Sequence, residues 1–280
     1  IISLGVGINI LDNVNSGFSA TTTVSLVGKI DAQPINYYGE NPVTCTKTKW
    51  KFDKLLVNSI SLGLQTSVFT LNGVVFFREN DPTYGDGFYG KVLFSIKNVL
   101  PSPASITACF GNTGSYRYFY LDAVVPTNIP LGTTPISISR IMGGMYYHMM
   151  PQQVSQNQLI SLSKNQNANS ATALTYTPDN SVWLGFKAGV GFAYSTSSKT
   201  ANGNVMLEVN FTSSGGLGYV SLGGDIYFMS SPDAQEKAPV AGTVLIQYDV
   251  VNKIFDANAT IKINAYNKIC LLYTSPSPRD

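Results

Sequence analysis

The chain has 280 residues, a formal net charge of +2 and only 12 % charged residues, about half the usual share. So small a positive balance excludes a surface built to grip a nucleic-acid backbone. A hydrophobic content of 44 %, with 16 Tyr and 14 Phe, excludes an intrinsically disordered chain, and no apolar run reaches the roughly 18 residues a membrane-spanning helix needs.

The opening "IISLGVGINI" lacks an initiator Met and reads as the middle of a strand, which predicts an internal piece of a longer product. "TCTKTKWKFDK" follows, with Lys47, Lys49 and Lys51 interleaved with Trp50 and Phe52. Two readings fit this pattern. Trp can anchor and Lys snorkel at a lipid headgroup layer, or the lysines can guard a sheet edge against unwanted pairing.

Next, "RENDPTYGDG" separates the apolar runs "VFTLNGVVFF" and "FYGKVLFSIK", placing Pro and Gly where a chain must reverse. Its Glu79, Asn80, Asp81 and Asp86 are candidate oxygen ligands for Ca²⁺. Their spacing does not match an EF-hand, and turn chemistry accounts for the same residues. "GNTGS" then separates "SITACF" from "YRYFYLDAVV", in which Tyr116, Tyr118 and Tyr120 share one face. Such a row can bind sugar rings, form a membrane girdle or pack as a cross-strand ladder. Trp50 and Trp183 join these tyrosines as candidate binding residues. Cys45 and Cys109 both lie in strand-like runs; a disulfide is allowed, but buried free thiols fit such positions better.

His148, in "GGMYYHMM", is the single histidine, which excludes a multi-histidine metal site within this chain. No nucleophile elbow accompanies it, so it reads as a packing residue, and no catalytic residue is assigned. Residues 149–180, rich in Gln, Asn and Ser with Pro near each end, read as a polar loop holding at most a helical turn.

Period-two alternation dominates the remainder. Val182, Leu184, Phe186, Ala188 and Val190 alternate with Trp183, Gly185, Lys187 and Gly189; Val205, Leu207, Val209 and Phe211 alternate with Met206, Glu208 and Asn210; Phe255 to Ile263 repeats the pattern. The expectation is antiparallel strands whose apolar set is buried and whose polar set meets water. The glycines of "SSGGLGYVSLGGD" lack the Lys-Ser/Thr of a phosphate loop and fit a curved sheet instead. No motif implies a cofactor.

The tail, Cys270–Asp280, breaks the rhythm. Reverse-translated with permitted codons, it spells the end of a common transposase sequencing adapter, so it is expected to be non-native. The predicted architecture is therefore all-β: a large antiparallel meander of long strands, as a curved sheet or barrel-like. Residues 1–150 and 181–269 form its two parts, 151–180 the loop, and 270–280 the artefact.

"DPTYGDGF", "GSYRYFYLDAVVP", "GGMYYHMM", "YTPDNSVWLGFKAGV" and "NFTSSGGLGYVSLGGDIYFM" resemble, in this order over residues 68–265, stretches of very long β-rich envelope or surface proteins of Gram-negative bacteria. The resemblance implies a non-enzymatic segment of a large exported scaffold, adhesion or binding protein in the cell envelope or outside the cell. Its partners would be envelope lipid, glycan or another surface protein, and not nucleic acid. Two alternatives stand beside it: an outer-membrane barrel or lipid-handling curved sheet, and a carbohydrate-active enzyme, for which no carboxylate pair is marked out.

Overall fold

A computed structural model describes residues 2–13, 16–37, 43–151, 176–265 and 269–275. Almost all of them are in antiparallel strands. The strands are β1 (Ile2–Asn13), β2 (Ser16–Tyr37), β3 (Val43–Gln65), β4 (Phe69–Asp81), β5 (Gly85–Ile96), β6 (Ala104–Asn112), β7 (Arg117–Pro130) and β8 (Ile136–Tyr147). After them come β9 (Met149–Pro151), β10 (Tyr176–Pro178), β11 (Val182–Tyr194), β12 (Ala201–Thr212), β13 (Leu217–Phe228), β14 (Val240–Asp249), β15 (Ile254–Ala265) and β16 (Ile269–Ser275). Among the described residues a short 3-10 helix, Pro232–Lys237, precedes β14.

Fourteen strands make a single sheet in chain order, β1 to β8 and then β11 to β16, while β9 and β10 pair only with each other. Every sheet neighbour is therefore a sequence neighbour apart from the β8–β11 step, which spans the 149–180 excursion. The two parts read from the sequence are thus one continuous sheet, joined by β8 against β11 from Leu184↔Tyr147 to Tyr194↔Ile136. The expected punctuation holds: 82–84, 113–116, 213–216 and 250–253 are the reversals. At Gly114 (φ 89°) and Gly215 (φ 86°) the chain takes left-handed backbone that a side chain would resist. Residues 269–275 pair with β15; an open strand edge accepts any extended segment through its backbone groups. Residues 276–280 lie outside the described residues.

β2 and β3 are much longer than the rest. β1 pairs with β2 only over Gly17–Leu26 plus Ser16, and β4 pairs with β3 only over Ser59–Gln65. Beyond those limits, among the described residues, β2 and β3 pair with one another, from Val27↔Lys54 to Tyr37↔Val43. A two-stranded ribbon thus runs past the sheet on the side of the 82–84 turn. Register shifts between Thr23/Val24 and Val27/Gly28 mark bulges at its base.

One expectation is overturned. The alternation is present, but its sense is reversed: the polar set faces the enclosed side and the apolar set faces out. On β11 Lys187 is 4 % exposed and Phe186 44 %; on β12 Glu208 is 8 % exposed and Leu207 45 %. β15 follows suit, with Thr260 buried and Phe255, Ile261 and Ile263 exposed. The physical reason lies in what the polar set contains. Its glycines leave room for large side chains to lie flat, and its charges find partners there, so enclosure costs little. β4 and β5 are less strict, since Val74, Phe76 and Leu93 put apolar groups on the inward side as well.

Candidate functional site

Two features stand out, an enclosed polar network and a bare apolar face. The network is built on a register row that runs Asp122 (β7), Gly144 (β8), Lys187 (β11) and Glu208 (β12). Because Gly144 has no side chain, the Asp122 carboxylate lies across it; a Cβ there would come within 2.0 Å of Asp122 Oδ1. The carboxylate thereby reaches Lys187 Nζ, 3.0 Å from Oδ1 and 3.1 Å from Oδ2, with both side chains wholly buried.

A second crossing uses the neighbouring row. Tyr146 on β8 lies over Gly185 of β11, where a Cβ would come 2.0 Å from its ring. Its hydroxyl donates to Glu208 Oε1 on β12 at 2.5 Å, and Tyr219 on β13 donates to the same oxygen at 2.6 Å. Arg140 repeats the device, lying against Gly191 and donating Nε–H to Asn204 Oδ1 at 2.9 Å, while Asn204 donates on to Asp225 at 2.8 Å. Each large polar side chain leans across a glycine to reach a second strand.

The short strands β9 and β10 complete the enclosure. His148, at φ 48°, turns the chain out of β8, stacks on Tyr147 at 3.9 Å and bonds Arg117 O through Nδ1. Its packing role is thus visible. β9 and β10 then lie against the network. Tyr176 stacks on Tyr120 at 4.7 Å, places its ring 4.6 Å from Lys187 Nζ, and its hydroxyl is 3.4 Å from Asp122 Oδ1. Tyr84 donates to Tyr176 O at 2.8 Å, and Tyr118 donates to Tyr84 O at 2.6 Å. Arg78 closes the group, its guanidinium 4.2 Å from both the Tyr84 and Tyr89 rings and 3.7 Å from Cys109 Sγ. Residues 152–175 of the loop reading lie outside the described residues.

The candidate residues read from the sequence separate into four places. Tyr118 and Tyr120 are buried in the network, with Tyr116 at its rim, edge-on to His148 at 5.5 Å. Trp50 lies on the projecting ribbon and Trp183 at the start of β11, both exposed, with β4 to β8 between their strands. Glu79, Asp81 and Asp86 are each engaged locally. Glu79 pairs with Lys54; Asp86 Oδ1 accepts from the N–H of Asn80 at 2.7 Å. Asp81, in the turn, accepts from the N–H groups of Tyr84 and Thr83, which hold its carboxyl below the usual range. Among the described residues no group of three or more His, Cys, Asp or Glu side chains is placed to hold a metal ion. Cys109 is a buried free thiol; the Cys45 side chain lies outside the described residues.

Sequence reasoning missed Arg78, Asp122, Lys187, Glu208 and Tyr219. A usable signal existed for two of them: Lys187 and Glu208 are cross-strand partners, opposite charges at matched depth in the middle of long strands.

The other face has no such chemistry. At one level it carries a row of aromatic rings, one per strand: Phe77, Phe88, Phe110, Phe119 and Tyr147. Successive ring centroids are 6.5, 5.2, 5.7 and 5.7 Å apart. From that row aliphatic and aromatic side chains continue across the sheet, to Phe69 on β4 and Phe228 on β13, a run of roughly nine residues per strand. An uninterrupted apolar face of this kind is poorly matched to water and well matched to hydrocarbon. No family model, no curated protein and no solved structure matches this chain.

Proposed function

We propose that this chain is a non-enzymatic segment of an exported cell-envelope protein, and that its sheet forms part of the wall of an outer-membrane β-barrel. The observation that carries this reading is the reversed burial, with Phe186 and Leu207 bare while Lys187 and Glu208 are enclosed. In a water-soluble sheet that arrangement exposes the wrong set. In a membrane barrel the outward positions meet lipid and the inward positions meet a polar interior. The aromatic row at one level has the character of an interfacial belt, and the apolar run per strand matches the roughly 9–11 residues a tilted strand needs to cross a bilayer. An antiparallel meander in which every sheet connection but the β8–β11 step joins sequence neighbours is the connectivity such walls use.

The interior in this reading is filled: the Tyr120 and Tyr146 rings pack against Tyr176, and Asp122 pairs with Lys187. Buried carboxylates here serve structure: Asp122 holds Lys187, and Glu208 receives two tyrosine hydroxyls.

Depth-dependent quenching tests the proposal. In a Trp50→Phe, Trp183→Phe chain, Leu207→Trp puts one reporter at the centre of the outward face. After refolding into phospholipid vesicles, its emission is expected to be quenched most by bromines placed deep in the acyl chains. Ready solubility without detergent, with emission indifferent to brominated lipid, would overturn the proposal.

A further inference from the structure

The ribbon formed by Val27–Tyr37 of β2 and Val43–Lys54 of β3 runs past the end of the wall, because β4 pairs with β3 only over Ser59–Gln65 and turns back at 82–84. Its two faces differ sharply. One carries Ile30, Trp50 and Phe52, joined in register as Ile30↔Trp50 and Gly28↔Phe52. Ile30 is 72 % exposed and Trp50 53 %, and the Trp50 indole lies across Gly28, where a Cβ would come 1.8 Å from Nε1. This face continues along β2 through Leu26 and Val24, paired with Leu55 and Val57, into the outward apolar face of the sheet. The other face carries Lys29, Lys47, Lys49 and Lys51, with Lys29↔Lys51 and Asp31↔Lys49 in register. Asp53 pairs with Lys29 at 2.7 Å. Lys47, Lys49 and Lys51 are exposed, and among the described residues Asp31 is the other acid of the ribbon.

We infer that this ribbon is an interfacial module that binds the anionic lipid surface beside the wall, with Ile30, Trp50 and Phe52 seated among the headgroups and the lysines supplying attraction to lipid phosphates. The inference rests on the proposed membrane reading and adds to it a partner for the part that does not span. Three observations argue for lipid as the occupant. The apolar face is continuous with the lipid-facing one, so the same solvent boundary runs onto it. A Trp-bearing apolar face opposed by a lysine face is the composition of segments that lie in an interface plane. The lysine excess complements the negative charge of phosphate headgroups, and lysine stems can lie along apolar surface while their ammonium groups stay solvated. Each lysine near such a surface is worth about fivefold in affinity.

Trp50 reports on this directly, because the chain has only 2 Trp. In the full chain carrying Trp183→Phe, reconstituted in nanodiscs, Trp50 emission is measured with lipids brominated close to the glycerol backbone, in zwitterionic and in phosphatidylglycerol-containing bilayers. The expected result is a blue shift and quenching that are stronger in the anionic bilayer. Lys47→Gln, Lys49→Gln and Lys51→Gln together should abolish the difference between the two bilayers. Trp50 emission that is the same in detergent, zwitterionic and anionic bilayers would overturn the inference. The Leu207→Trp reporter separates the two ideas. Quenched Leu207→Trp beside unquenched Trp50 sinks the ribbon inference alone, whereas two unquenched reporters sink the membrane reading with it. Trp50 quenching that survives the lysine substitutions unchanged, or is equal in both bilayers, also refutes it, since attraction to anionic headgroups would then play no part.

Discussion

Asp122 and Lys187 meet 3.0 Å apart although a whole strand separates theirs, and they do so because Gly144, which lies between them in register, has no side chain to intervene. The contact is completed by Tyr176, whose ring covers the ammonium group and whose chain arrives from outside the sheet.

Removing one partner of this pair leaves the other charge enclosed. Lys187→Met is expected to destabilise the folded chain by about 3–5 kcal/mol, and the double variant Lys187→Met, Asp122→Leu by clearly less than the sum of the singles. Urea titration in lipid vesicles, followed by tryptophan emission, measures both. Additive losses would mean that the two groups do not act as a pair.

Glycine's role is tested by comparing two positions on the inward face. Gly185→Ala forces the Tyr146 ring off its bed and strains the hydrogen bonds of its hydroxyl with Glu208 and Tyr219, so a loss of about 1–3 kcal/mol is expected. At Gly223 a Cβ would meet only Leu245 Cδ1, at 3.8 Å, and Gly223→Ala should cost nothing measurable. Equal effects at the two sites would dismiss the crossing geometry as the reason for Gly185.

On the outward face the solvent decides the cost. Leu207→Arg is expected to lose about 2–4 kcal/mol of folding free energy in a bilayer if Leu207 lies near the midplane, against about 0.5 kcal/mol or less for an ordinary exposed site in water. The midpoint of refolding into vesicles distinguishes them.

Tyr176 should tie the excursion to the sheet. Tyr176→Ala removes the stack on Tyr120 and the cover over Lys187, so amide exchange in Met149–Pro151 and Tyr176–Pro178 is expected to rise by an order of magnitude or more, as about 1.4 kcal/mol of lost anchoring would give. Tyr176→Phe keeps both ring contacts and should change exchange little. If alanine and wild type exchange alike, the tyrosine is not the anchor.

Much of the fold was legible. The strands of "SVWLGFKAGV", "GNVMLEVNFT" and "IFDANATIKINA", and the turns between them, follow from period two and from Gly, Asn and Asp at reversals. The site was less so. Asp122, Lys187 and Glu208 look like ordinary wet-face charges until β7, β8, β11 and β12 are laid side by side, and Tyr176 lies in a stretch with no alternation to read. The long ribbon was half visible: "TCTKTKWKFDK" showed its two faces, but its projection depends on where β4 stops pairing.

Sequence alone determined which side chains travel together, because backbone pleating sends neighbours to opposite faces whatever surrounds them. It could not determine which face is enclosed. That choice belonged to the assembled sheet, where glycine rows let tyrosines, an arginine and an ion pair close over one another, so that the polar side could be buried and the greasy side left bare.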